Sequence, residues 1–351
     1  VNPDESHDED EGDDWRSVST RRPDPRSLSL AQSRAREPGR GRTADDPAQI
    51  PAVGWKDVLF RVVYSFPRDR VLATAGGVAF FALLATFPAL ATVVSVYSLF
   101  ADPHAISQHV SLLAGVLPSG VLDLLSDQLI RVAQQSTGAL STASLVSVLI
   151  AFWSANSGVS ALFDALNVIY REREKRSLMR FYATTFLFTL SGILFALTAT
   201  SLVVVLPIAL NQLGLGALTD ALLRLVRWPG LLILVSLGLA VTYRYGPSRR
   251  DAKWRWVSWG GAAAAVSWVC ASVSFSWYVA SFDSYNRIYG SLGAGIGFMT
   301  WIWFSVVIVL LGAKLNAEIE RQTARDSTTG PPKPLGSREA HAADTVGPPD
   351  G

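Results

Sequence analysis

The chain has 351 residues, of which 49% are apolar and only 17% charged, with a formal charge of +2. Charges gather in the tails and short loops, while 71–101 carries none, which excludes an ordinary soluble core. A single cysteine, Cys270, excludes an internal disulfide and a cysteine-rich metal centre, and its place in an apolar run reads as a small buried hydrophobe.

In chain order, residues 1–50 form an acidic block followed by an arginine-, proline- and serine-rich block, neither with an apolar period. Both are expected to be disordered and cytoplasmic. The acidic start does not have the pattern of a cleavable signal peptide, so insertion falls to the chain's own apolar spans. The arginine block reads as a solvated tail beside the membrane, and no specific nucleic acid is expected as a partner.

Residues 54–67 predict an amphipathic helix lying in the membrane interface. Trp55, Val58, Leu59, Val62, Val63 and Phe66 share its apolar face, with Lys56, Asp57 and Arg61 opposite. Six spans then follow over 68–322, near 71–100, 137–163, 181–206, 225–243, 257–280 and 290–313, each long enough for a bilayer core of ~30 Å. Pro88 is expected to kink the first. Between spans one and two, stripes at Ile106, Val110, Leu113 and Leu117, and at Leu122, Leu125, Leu129 and Val132, predict two external amphipathic helices. The segment 323–351 is expected to be a second disordered cytoplasmic tail. The fold class is therefore an all-α membrane protein of six transmembrane helices.

Lysine and arginine alternate from loop to loop. The segments before span one, after spans two and four, and after span six are rich in them; the three others hold only Arg131, then Arg224 and Arg227, then Arg287. The positive-inside rule places both termini in the cytoplasm of a multi-pass plasma-membrane protein. Trp254, Trp256 and Trp259 mark the inner edge of span five, whereas Trp153, Trp268, Trp301 and Trp303 lie within spans and are expected to pack between helices.

No catalytic constellation emerges. The histidines are His7 and His341 in the tails and His104 and His109 in the external loop, without a carboxylate cluster beside them. No metal site, cofactor or catalytic residue is expected. The glycines of the last span lack the dinucleotide spacing and a preceding strand; Gly290, Gly293 and Gly297 stand three and four apart, the pattern of a helix-packing groove. Polar residues inside spans are costly and therefore informative. Span two carries Ser154, Asn156, Ser160, Asp164 and Asn167, which read as a substrate path or as polar helix packing. At the end of span six, Lys314 and Glu318 lie one turn apart and read as a surface helix end with a snorkelling lysine.

Four stretches carry a family resemblance: "DRVLATAGGVAFFALLATFPAL" from Asp69, "FWSANSGVSALFDALNVIY" from Phe152, "YGPSRRDAKWRWVSWGGAAAAVSW" from Tyr245, and "YNRIYGSLGAGIGFMTWIWFSVVIVLLGAKLNAEIE" from Tyr285. They resemble the BrkB/YihY integral membrane proteins, once labelled ribonuclease BN. The family-motif positions matched here are Asp69, Pro88, Tyr289, Gly290, Gly312, Asn316 and Glu318. Two departures stand out: Phe80 and Phe81 replace tyrosines, and Lys314 stands where an acidic residue is more usual. The resemblance implies a bacterial six-span inner-membrane protein associated with virulence and envelope functions, and the ribonuclease label is regarded as a misassignment. The expected function is transport or translocation of a lipid or other envelope component, with membrane lipids as partners. A non-transporting scaffold is the alternative, and a homo-oligomer or envelope proteins are compatible partners.

Overall fold

The computed structural model describes residues 25–97, 142–200, 217–281 and 291–349. Among the described residues all regular structure is helical, apart from an isolated antiparallel bridge between Ala252 and Thr328. A short helix α1 (Pro25–Arg34) and a 3-10 turn (Pro47–Gln49) precede α2 (Ala52–Ser65). Six long helices follow: α3 (Val71–Tyr97), α4 (Thr142–Tyr170), α5 (Leu178–Thr200), α6 (Ala217–Tyr245), α7 (Trp254–Ser281) and α8 (Ser291–Glu320). A single turn, α9 (His341–Asp344), lies near the C-terminus.

Among the described residues, three stretches are long and apolar enough to cross a membrane: Leu178–Ala199, Trp254–Tyr278 and Gly295–Glu320. Shorter apolar stretches occupy Val71–Thr86 and Pro229–Tyr245. The expected external helices, Tyr289 and Gly290 lie outside the described residues.

The last long helix, α8, is the hub, packing on α2, α3, α4 and α7. Its apolar residues run all round, as a helix enclosed by others requires, and Leu310 and Ala313 are fully buried. Small residues set the close approaches. Ala75 and Ala79 of α3 are fully buried, and a Cβ on Gly158 of α4 would just reach ordinary contact with the Ala82 backbone at 3.8 Å. The tightest crossing joins α7 to α8. A Cβ on Gly312 would come within 2.7 Å of the Gly260 carbonyl and 2.5 Å of the Tyr243 hydroxyl, and one on Gly260 would collide with the Gly312 carbonyl. That tyrosine reaches across from α6 to donate a hydrogen bond to the Val309 carbonyl at 2.8 Å.

Connections at one end define the topology. The starts of α3, α5 and α7, the ends of α4, α6 and α8, and both terminal segments meet there. Lys314 of α8 pairs with Asp69 ahead of α3, Asn167 of α4 accepts from Ser248 N after α6, and Arg249 pairs with Glu320 of α8.

Several expectations need correction. Residues 323–349 are not a disordered tail: Thr323, Ser327 and Thr328 are fully buried against the helix ends. The segment has no apolar period because its attachment is polar. Arg338 alone donates to the carbonyls of Lys333, Ala324, Arg325 and Ala343. Likewise Arg42, within the expected N-terminal tail, is 2% exposed. In α2 the two expected faces are mixed: Asp57 and Arg61 turn inward with Val58, whereas Lys56, Leu59, Phe60 and Val63 are exposed. Ion-pair partners on the bundle outweigh the burial of that apolar side. The single cysteine, Cys270, is exposed on α7, as is Trp153 on α4, because a membrane bundle turns part of its apolar surface outward. The other three span tryptophans pack as expected, with Trp268 Nε1 donating to Ser305 Oγ, Trp301 against the Trp268 ring and Trp303 Nε1 donating to the Leu72 carbonyl.

Candidate functional site

The last helix runs to Glu320, so Lys314 and Glu318 are not a surface end. Both are 1% exposed, because α2 and residues 323–349 cover the final two turns. Lys314 Nζ lies 2.5 Å from Asp69 Oδ2 and 3.1 Å from Glu318 Oε1. Glu318 also receives Arg61 Nε at 2.8 Å and Arg321 Nη1 at 3.0 Å. A lysine beside two carboxylates, with two arginines on one of them, thus ties α2, the start of α3 and the end of α8 together. Breaking such a pair on one side leaves a buried charge, which is why the whole set must be present. Burial holds the Arg61 guanidinium below its usual value, opposed by Glu318 and aided by the nearby Arg321 and Arg42.

A second pair lies beside the first. Arg249 and Glu320 are both fully buried and joined by two hydrogen bonds of 2.7 and 3.0 Å. Ser327 donates to the same carboxylate, and the Arg249 guanidinium stacks 4.2 Å above the Tyr170 ring. Arginine suits this place because its planar fork holds a carboxylate bidentately while its face rests on an aromatic ring. The short loop between α4 and α5 closes the site: Glu174 binds Arg176 and Asn167, which pull its carboxyl down to about 2 against the opposing effect of burial.

Four family-motif residues converge here. Asp69 and Glu318 hold Lys314, Gly312 sits at the helix crossing, and Asn316 bridges α8 to α7. The Asn316 side chain accepts from Gly260 N at 2.7 Å and donates to the Val257 carbonyl at 3.0 Å. Helix α3 runs unbroken through Pro88, whose surroundings are outside the described side chains.

The polar residues of α4 divide rather than share one face. Asn156 is 3% exposed and lies on the order of 20 Å from the helix end, by helical rise. Its Oδ1 accepts from Thr189 of α5 at 3.4 Å, and Thr185 is buried one turn away. Ser160 bonds back to the Asn156 carbonyl, and Ser154 is half-buried. Asn167 belongs instead to the network end, clasping Ser248 and Glu174. Asp164 is exposed on the outer side of α4. On α8, a Cβ at Gly297 would meet nothing within 4 Å among the described residues; the surroundings of Gly293 are not described. Among the described residues of α7 and α8, the close glycine contact is that of Gly260 with Gly312.

Arg61, Arg249 and Glu320 carry no spacing signal that marks them from sequence. Their partners are separated by tens to hundreds of positions, as Arg61 is from Glu318. No group of three or more metal-ligating side chains occurs among the described residues.

Comparison with known proteins places these features. The family model described as Virulence factor BrkB matches residues 62–335. The chain is similar to the ribonuclease-like protein YfkH of Bacillus subtilis, at 24% identity over 70% of this chain and 88% of that protein. A UPF0761 membrane protein of Vibrio atlanticus is 28% identical over 72% of this chain and 79% of its own length. Another from Nitrosospira multiformis is 27% identical over 77% and 62%. No solved structure matches.

Proposed function

Because the chain belongs to the Virulence factor BrkB family of membrane proteins, we propose that it is a six-span protein of the bacterial plasma membrane that translocates a lipid or other envelope component. The observation behind this reading is the polar seam between α4 and α5. Asn156, Thr185 and Thr189 face inward at mid-helix depth, while Leu187, Leu190, Leu194 and Leu197 of α5 are exposed on the opposite side. Such a helix suits a lipid, whose headgroup follows the polar seam while its chains remain among apolar residues. α5 packs on α4 but touches α6 only lightly, through contacts such as Phe195 against Gly238. Among the described residues it is the long helix least held by its neighbours, so it has the least to lose by swinging outward.

The gathering of basic residues at one end of the bundle supports cytoplasmic termini. Reconstitution into liposomes with headgroup-labelled lipids tests the translocation reading. The wild-type chain should scramble or pump label above protein-free vesicles, and Asn156→Leu should reduce the rate at least several-fold with the fold intact. Absence of movement for lipids and envelope precursors alike would reject translocation and favour the scaffold, which predicts co-purifying partners and tolerance of Asn156→Leu. Incubation of the pure protein with RNA is the control for the ribonuclease-like name of the Bacillus relative.

A further inference from the structure

Arg244, in the last turn of α6, has hydrogen-bond donors that the fold does not use. Its Nε and Nη1 are buried and make no hydrogen bond, and no ion pair among the described residues reaches the guanidinium. Two other arginines at this end of the bundle differ: Arg176 pairs with Glu174 and Arg249 with Glu320. Buried donors without an acceptor are rare, and each marks a place suited to one.

What the guanidinium does touch is aromatic. Its Cζ lies 4.5 Å from the Trp254 ring centre and 5.2 Å from that of Tyr245, and the two rings meet edge to face at 6.2 Å. The rings cover the flat side of the cation and leave its in-plane N–H groups for an acceptor. Both rings are themselves exposed, Trp254 by 45% and Tyr245 by 39%.

Their place in the fold points to the kind of acceptor. Tyr245 is the last residue of α6 and Trp254 the first of α7, so the cluster sits where two apolar helices meet the polar loop 246–253. Trp259, also exposed, continues this aromatic border and packs on Trp55 of α2 at 5.3 Å. Tryptophan and tyrosine rings exposed at the end of an apolar helix favour the headgroup level of a bilayer. A cation held there meets lipid phosphates.

We propose that Arg244, Tyr245 and Trp254 form a site for the phosphate of an anionic phospholipid bound at this end of the bundle. Arg244 donates to the phosphate oxygens through Nη2 and, after a turn on its ring platform, through one of the nitrogens beside it. The exposed rings take the glycerol and the upper part of an acyl chain. This inference rests on the chain lying in a membrane and not on translocation. A protein that binds lipid at Arg244 yet moves none would sustain this site and reject the translocation reading.

Native mass spectrometry of the full-length protein in detergent, titrated with phosphatidylglycerol or phosphatidylcholine, tests it. The wild type should hold phosphatidylglycerol more tightly than phosphatidylcholine. Arg244→Gln should weaken phosphatidylglycerol binding about fivefold, the worth of a cation at a membrane surface. Arg255→Gln removes an exposed cation beside Trp254 and should change binding less than about twofold. Trp254→Leu keeps the charge but removes its platform; it should weaken binding several-fold, and it carries the test should Arg244→Gln fail to fold. Millimolar inorganic phosphate, at matched ionic strength, should leave the lipid bound. Equal losses for Arg244→Gln and Arg255→Gln would reduce the effect to surface charge. That result, no preference for phosphatidylglycerol in the wild type, unchanged binding in Trp254→Leu, or displacement of the lipid by free phosphate would overturn the proposal.

Discussion

At Lys314 and Gly312 single atoms decide whether the bundle closes. Lys314 is the main counter-charge of Asp69, whose only other cation partner among the described residues is Arg171 at 3.7 Å. Lys314→Met should therefore cost about 3–5 kcal/mol by stranding a buried carboxylate. Adding Asp69→Asn should recover most of that loss, which thermal unfolding of the detergent-solubilised single and double variants would reveal. A double variant no more stable than the single would show that the pair is not the source. Gly312→Ala puts a methyl group into the Gly260 carbonyl and the Tyr243 hydroxyl, an overpacking worth about 1–3 kcal/mol. Gly297→Ala, with nothing within 4 Å among the described residues, should not lower the unfolding temperature.

Among the elements, α2 shows how composition leaves orientation open. Its period is that of an amphipathic helix, yet two of its charges, Asp57 and Arg61, face the protein. Asp57 meets Arg40, and Arg61 meets Glu318. The exposed strip of Leu59, Phe60 and Val63 then faces away from the bundle, where a membrane interface would receive it. A spin label at Val63→Cys, in a Cys270→Ser background, should be accessible to oxygen and protected from water-soluble nickel reagents. Water-like accessibility would remove the interfacial assignment while leaving the ion pairs intact. For α5, by contrast, the apolar span was legible from its residues, and its polar inner face gained meaning only when Thr189 was seen against Asn156.

Across the whole molecule, the C-terminal segment 323–349 couples helix ends that are remote in sequence, and it carries a titratable group. Burial, reinforced by Arg321 and Arg171, holds the His341 imidazole down to about 3 from the ordinary 6.5. Glu318 opposes that shift and Lys314 adds to it, while Glu172 accepts from the His341 backbone. A histidine depressed in the docked state takes its proton more readily when released. Docking is thus fullest above pH 6.5 and weakens as pH falls towards 3. Hydrogen exchange at 340–347 should rise across that window, and His341→Asn should flatten the rise; unchanged exchange in the wild type would exclude the histidine as its cause. Glu172, whose carboxyl burial pushes up, takes its proton more readily in the docked state and so opposes this loss rather than adding to it.

Some of this protein was determined by the sequence alone. Long uncharged stretches have no soluble alternative, so helices and a membrane follow from the expense of leaving backbone groups unpaired in lipid. The motifs around Asp69 and "GAKLNAE" likewise marked the residues of the network before their partners were known. Tertiary structure decided the rest. A charge beside lipid reads as a surface group until another chain segment covers it, and the segments that cover Lys314 and Glu318 have no apolar period to announce them. The burial of 323–349, the inward turn of Asp57 and Arg61, and the close crossing at Gly260 and Gly312 all depend on contacts between distant positions. Ion pairs and backbone hydrogen bonds of that kind leave no local pattern, because either partner alone is an ordinary polar residue.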